Sequence, residues 1–181
     1  VLVGGGVIGL ELASFYSMIG TTVTVLEYAP QLLPGTDLDM VKVVEKSLTH
    51  RGAEIHTEFK VAKAEAKGKG VVVKGSSKDG KELSFEADIC LVSVGRKPFT
   101  QFLGLEKTGL KVNERGFIPV NKSLQTAVPH LYAIGDVTSG PLLAHRASHE
   151  ALVAASHAAG DTHAMIDYRV IPAAIFTDPE I

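Results

Sequence analysis

The first twenty-seven residues, VLVGGGVIGLELASFYSMIGTTVTVLE, constrain this chain most, because a glycine-rich turn sits there between segments of alternating type. Val1 to Val3 reads as the end of a buried strand. Ile8, Leu12, Phe15 and Ile19 recur at helical spacing with Gly20 beyond them, which predicts one apolar helix face and its stop. Thr22 to Glu27 is rich in β-branched residues, is too short for a helix, and ends on a carboxylate. Strand, helix and strand in so short a stretch predict a βαβ unit, and so an α/β fold with a central parallel sheet.

The stretch GGGVIG fits G-x-G-x-x-G on Gly4, Gly6 and Gly9. Such a turn suits a diphosphate. Gly4 permits the tight bend, Gly6 lets backbone approach the pyrophosphate, and Gly9 lets the helix pack closely on the sheet. The helix start from Val7 onward offers free N–H groups and the positive end of the helix dipole. Glu27 lies eighteen residues beyond Gly9 at the end of the second strand, where its carboxylate can accept from both hydroxyls of a ribose. The same charge repels a 2′-phosphate, and no arginine lies in the next twenty residues to receive one. This predicts a Rossmann-like fold that favours NAD over NADP. The bland alternative is a buried glycine turn with Glu27 as a surface acid. Glu11, on this reading, belongs to a solvated helix face.

Further along, APQLLPGTD reads as a turn, and Asp37 as the cap of a helix carrying Leu38, Val41, Val44, Glu45 and Leu48, with Gly52 after its end. AEIHTEF alternates as a strand. KVAKAEA, GVVVKG and KELSFEA predict an antiparallel meander with a hairpin turn at Asp79 and Gly80, and ICLVSVG predicts a return to a buried strand. GRKP, Gly95 to Pro98, is where the chain is expected to leave its first domain. Beyond it lie a predicted strand LYAIGD, a helix from about Pro141 to Ala159, and the apolar run VIPAAIF, whose Pro172 predicts an edge or a strand start. In LYAIGD, Asp136 would stand at a sheet edge where it could meet a polyol hydroxyl, although a plain Gly-Asp turn explains it equally. His145 and His149 stand four apart on the helix, a spacing open both to a metal and to ordinary surface histidines.

Composition narrows the partners. With 181 residues and a net charge of −2, the chain has no basic face for nucleic acid or anionic lipid. Lys60, Lys63, Lys67 and Lys69 are interrupted by glutamate and glycine and read as a solvated hairpin. Cys90 is the only cysteine, so no intrachain disulfide can form. No apolar run is long enough for a membrane span. The chain starts inside an apolar run and stops at TDPEI, which we read as a fragment of a longer protein.

Taken in order, GGGVIGLELA, VTVLE, GRKPFT, LGLEKTGLKVNERGFIPVN, QTAVPHLYAIGDV, GPLLAHRA and VIPAAIFTDPEI resemble the flavin-dependent pyridine nucleotide disulfide oxidoreductases, and within them the branch that oxidises dihydrolipoamide. The resemblance covers nearly the whole chain. It implies that residues 1–94 are an NAD-binding domain, that 95–168 are the second half of an FAD-binding domain, and that 169–181 begin a dimerisation domain. Gly4, Gly5, Gly6, Val7, Ile8, Gly9, Leu10 and Glu11 would line the NAD diphosphate and its nicotinamide side. Glu27 would take the adenine ribose, Val61 the adenine ring, and Gly95 the far wall. Asp136 would hold the FAD ribityl chain. The backbone of Leu142, Leu143, Ala144 and His145 would approach the flavin ring, the helix dipole favouring its reduced, anionic form.

The resemblance further implies a homodimer, in bacterial cytoplasm or mitochondrial matrix, whose partner is dihydrolipoamide on the lipoyl domains of 2-oxo acid dehydrogenase complexes. Electrons would pass from dihydrolipoamide through a redox disulfide and FAD to NAD, and this chain would supply the acceptor side. No catalytic residue is expected within it. The family's redox cysteine pair and its histidine and glutamate base have no counterpart here, Cys90 does not carry over as a redox cysteine, and His149 stands near a position usually acidic. Mercuric and glutathione reductases share the scaffold, and Glu27 disfavours those that use NADPH. The alternative from another class is a non-catalytic NAD-binding module.

Overall fold

In the computed structural model, which describes residues 1–181, the chain forms two compact units: Val1–Gly95 together with Ala174–Ile181, and Arg96–Ala173. The first unit holds β1 (Leu2–Val3), α1 (Val7–Met18), β2 (Thr24–Leu26), α2 (Leu38–His50), β3 (Glu54–His56), β4 (Lys60–Lys67), β5 (Gly70–Ser76), β6 (Glu82–Ala87) and β7 (Leu91–Val92). Four strands form a parallel sheet in the order β3-β2-β1-β7, and β4-β5-β6 form the antiparallel meander. Side chains alternate across the parallel sheet. Leu2 and Val25 join Leu10, Ala13, Val41, Val44 and Leu48 from the two helices, whereas Val3 and Leu26 join Phe59 and Val73 beside the meander. The sheet is thus the middle of three layers.

Helix α1 buries a different face from the one its apolar spacing predicts. Gly9, Leu10, Ala13, Ser14 and Ser17 face the core, while Ile8, Phe15 and Ile19 are 45, 51 and 62 % exposed. Only Leu12 of the four predicted residues packs partly against the core. The reason is distance: a Cβ on Gly9 would stand 2.0 Å from the Gly4 carbonyl oxygen, so the helix lies too close to the glycine turn for bulky residues on that side. Helix α2 follows its prediction. The Asp37 side chain caps it by accepting from the Asp39 N–H at 3.0 Å, Val41, Val44 and Leu48 are fully buried, and Gly52 follows with φ +86°.

Strand β7 is shorter and more exposed than ICLVSVG predicts. Only Leu91–Val92 pairs, on β1, and because its other side has no neighbour Val92 and Val94 stay exposed. In the meander, the Gly80 N–H donates to the Ser77 carbonyl at 2.9 Å to close the Asp79–Gly80 hairpin, and Lys63 pairs with Glu65 at 2.7 Å on an exposed face. The final segment, Ala174–Ile181, returns to this first unit. Ile175 and Ile181 exchange backbone hydrogen bonds at 2.8 and 3.1 Å and pack against the α1/α2 core. The Asp178 N–H donates to Ser14 Oγ at 2.9 Å, and Arg51 forms an ion pair with the Asp178 carboxylate. VIPAAIF therefore makes a strapped turn with its own sequel and no strand.

The second unit contains α3 (Leu105–Thr108), α4 (Ala144–Ala158) and short 3₁₀ turns at Gly135–Val137 and Tyr168–Val170. LYAIGD is extended but forms no strand. Tyr132 bridges Gln125 and the Ala133 N–H donates to the Leu124 carbonyl, after which Gly135 turns into the left-handed region at φ +69° and the chain enters a 3₁₀ turn instead of extending a ladder. Helix α4 begins at Ala144, later than Pro141, because Leu143 is still extended at φ −130°. No helix is long and apolar enough to cross a membrane.

Candidate functional site

Each glycine of the turn meets a different constraint. Gly4 has φ +108°, and a Cβ there would lie 2.5 Å from the Ser93 carbonyl oxygen. A Cβ on Gly5 would meet Leu32 Cδ2 at 2.6 Å. Gly6 alone of the four faces open space, with nothing within 4 Å of its added Cβ. The protein's own packing thus accounts for Gly4, Gly5 and Gly9 and leaves Gly6 for something outside the fold. Gly6 is also the N-cap of α1, without a side-chain cap, and the first intrahelical bond is Leu10 N–H to the Gly6 carbonyl at 3.0 Å. The N–H groups of Val7, Ile8 and Gly9 are therefore left for an anion at a twelve-residue helix start. Val7 and Ile8 have exposed side chains beside it, while Leu10 is fully buried beneath and fixes the helix. The observed cradle fits a dinucleotide diphosphate.

Glu27 is not a free surface acid. Its side chain is buried, Oε2 accepts from the Gly5 N–H at 2.5 Å, and Oε1 accepts from the Ala29 N–H at 2.6 Å. The Gly5 carbonyl is held from the other side by the Leu33 N–H at 2.8 Å, with Leu33 buried at φ +47°. Gly5 has both backbone polar groups committed, so free donors for an anion would come from the residues after it. Each oxygen of Glu27 keeps a lone pair for a hydroxyl. Ser93, which sequence reasoning missed, donates from Oγ to the Gly4 carbonyl at 3.1 Å and closes the turn from the β7 side. A lone serine in an apolar run carries no signal of such a role.

Glu11 is half-buried, and its Oε1 accepts from the Phe176 N–H at 3.0 Å, so the strapped C-terminal segment fixes this carboxylate. Val61 is half-buried against Val3, Leu26, Phe59 and Val73, next to a register break in β4. Gly95, at φ +110°, is exposed and has open space around it.

In the second unit, Asp136 sits in the Gly135–Val137 turn and forms an ion pair with Arg96 at 2.7 Å, its side chain 41 % exposed. Leu143 caps α4 without a side-chain cap. Leu142 and Leu143 are half-buried, Ala144 and His145 are exposed, and His145 Nε2 donates to the Pro172 carbonyl at 2.7 Å. No three His, Cys, Asp or Glu side chains gather where they could hold a metal. The groups that sequence reasoning missed are on the same helix. Arg146 and Glu150 are fully buried, and Tyr168 donates to Glu150 Oε1 at 2.6 Å. Burial and that hydrogen bond raise the Tyr168 phenol to about 12. Arg and Glu four apart are ordinary on a helix surface, so the sequence gives no sign that this pair is inside.

A family model described as pyridine nucleotide-disulphide oxidoreductase matches residues 1–151. The chain is 44 % identical over 180 residues to the dihydrolipoyl dehydrogenase of Thermus scotoductus, covering 99 % of this chain and 39 % of that protein. It is equally similar, at 44 %, to the dihydrolipoyl dehydrogenase of Geobacillus stearothermophilus, covering 99 % and 38 %. The dihydrolipoamide dehydrogenase of Chaetomium thermophilum is 41 % identical, with 99 % and 36 % covered. Among solved structures, LpdA of Mycobacterium tuberculosis superposes with a TM-score of 0.89 at 32 % identity, over 99 % of this chain and 38 % of that one. The HOCl-induced flavoprotein disulfide reductase RclA of Escherichia coli gives 0.86 at 28 %, over 99 % and 40 %. The chain spans about two fifths of the length of the curated relatives it matches.

Proposed function

The chain belongs to the pyridine nucleotide-disulphide oxidoreductase family, and from that premise we propose that it is the acceptor side of a dihydrolipoamide dehydrogenase, with an NAD site in its first unit and part of an FAD site in its second. The observation that carries the reading is the open helix start at Gly6 beside the anchored carboxylate of Glu27. In this reading the N–H groups of Val7 to Gly9 hold the NAD diphosphate, Glu27 accepts from the adenine ribose, and Val61 and Gly95 bound the adenosine and the far wall. Glu11, fixed by Phe176, faces the nicotinamide side. Asp136 accepts from the ribityl chain, and the start of α4 at Leu142 to His145 stabilises negative charge on the flavin ring. Bound FAD and NAD supply the two-electron transfer between a thiol pair and nicotinamide.

The parent reaction takes two electrons and two protons from dihydrolipoamide, closing its disulfide, delivers a hydride to NAD and releases one proton. Cys90 is the sole cysteine, so a redox pair cannot come from these 181 residues alone. The partner of this reading is a lipoyl domain of a 2-oxo acid dehydrogenase complex, the working form a homodimer, and the setting bacterial cytoplasm or mitochondrial matrix.

Fluorescence titration with NADH and NADPH tests the proposal. A buried Glu27 carboxylate repels a 2′-phosphate in a partly dry site, so NADH is expected to bind at least about tenfold more tightly. Equal affinity would remove the assignment of this site to NAD.

A further inference from the structure

Arg146 and Glu150 have no exposed side-chain surface, each at 0 %, and stand one helical turn apart on α4. A buried ion pair adds little stability over an apolar pair of similar volume, because desolvation consumes most of its attraction. What distinguishes this pair is the set of groups it holds. Glu150 Oε2 accepts from the Gly135 N–H at 2.7 Å, and Arg146 Nη2 donates to the Gly135 carbonyl at 2.6 Å. Both backbone polar groups of one turn residue are thus held by one helix. Arg146 Nη2 also donates to Thr138 Oγ1 at 2.8 Å, at the far end of the same turn, and Nη1 donates to the Pro141 carbonyl, just before α4 begins. Nε of Arg146 lies 3.1 Å from Glu150 Oε1 in charge contact without hydrogen-bond alignment. The Tyr168 hydroxyl occupies Glu150 Oε1, and its ring lies 5.9 Å from the guanidinium carbon.

We propose that Arg146 and Glu150 are positioning residues for a flavin: one buried clamp fixes the Gly135–Asp136 turn and the Pro141–His145 approach to α4 at a set separation. The Asp136 carboxylate and the helix start are then presented together. This rests on the flavin-side reading of the second unit. Without the clamp, the N–H of Gly135, at φ +69°, would lose its partner, the Gly135 carbonyl would keep only Thr138, from its N–H at 2.9 Å and its Oγ1 at 2.8 Å, and Asp136 would keep only Arg96, itself half-exposed.

The test uses the whole 181-residue chain with added FAD as the probe, read by flavin fluorescence, and amide hydrogen exchange at Gly135. Asp136→Ala is expected to weaken FAD binding at least about tenfold while the Gly135 amide stays protected. Glu150→Gln is expected to weaken FAD by a similar factor and to speed exchange at Gly135, and Arg146→Lys to retain part of the affinity that Arg146→Met loses. The decisive variant is Arg146→Met combined with Glu150→Leu. An apolar pair preserves packing, so melting and helix content hold, yet the Gly135 N–H loses its partner and exchanges faster, and FAD affinity falls. A folded double variant that binds FAD like the wild type would overturn the positioning role. Should that variant not fold, Tyr168→Phe decides: faster Gly135 exchange with unchanged FAD affinity counts against the clamp, and a matched loss supports it. If Asp136→Ala leaves FAD binding unchanged, or the wild type binds none, the flavin-side reading falls and the positioning role falls with it.

Discussion

Gly6 and Gly9 are three residues apart in one turn, yet they answer to different demands. Gly9 is required by the fold, since its Cβ would overlap the Gly4 carbonyl, whereas Gly6 has space and an ordinary φ of −79°. Gly6→Val is therefore expected to leave stability within about 0.5 kcal/mol of the wild type and to abolish measurable NADH binding. Gly9→Val should cost several kcal/mol, about the range of severe core overpacking. Circular dichroism melts and NADH titration separate the two, and NADH binding that survives Gly6→Val would mark the turn as merely structural. The spacing of these glycines and the place of Glu27 were legible because they depend on chain geometry alone. Arg146 and Glu150 were not, since an Arg-Glu pair four apart has the same pattern inside a unit as outside it. The histidines beside them, His145 and His149, drew attention for a chemistry that the structure does not assemble.

Elements were legible where residue type and period agree. The capped helix α2 and the meander came through because polar and apolar positions alternate cleanly there. Helix α1 is apolar almost all round, so period could not say which face turns inward; a contact with the glycine turn decided it. LYAIGD and VIPAAIF failed as strands for another reason: a strand needs a partner, and partners are a tertiary fact. The C-terminal segment instead supplies Ile175 and Ile181 to the first core and an N–H to Glu11. Truncation after Ala173 is expected to lower the stability of the first unit by about 1–3 kcal/mol, for two partly buried isoleucines and a surface ion pair. Denaturant unfolding followed by circular dichroism measures this, and an unchanged midpoint would mean the strap is dispensable.

For the whole molecule, the α/β architecture was readable from its first βαβ unit, while the return of the C-terminal segment to the first compact unit carried no sequence signal. The first unit's C-terminal contribution, Ala174–Ile181, lies far along the sequence from the rest of it. On the acceptor-side reading, with one cysteine and part of a flavin surface, the chain is expected to bind added FAD only weakly, to lose it on purification and to show no dihydrolipoamide-dependent reduction of NAD. Partial sites hold ligands poorly because contacts are lost while the entropy cost of binding, several kcal/mol, remains. A flavin spectrum and a nicotinamide absorbance assay on one sample check it, and a yellow sample that turns over would overturn the acceptor-side reading.

The return of Ala174–Ile181 also sets an order of events during synthesis. A ribosome adds about 5–20 residues each second, and all of Arg96–Ala173 is made before Ile175 and Ile181 emerge. Until then the groove along α1 and α2 that those isoleucines fill is open to water, to chaperones or to another nascent chain. Of the two units, the one whose synthesis begins earlier is therefore sealed later.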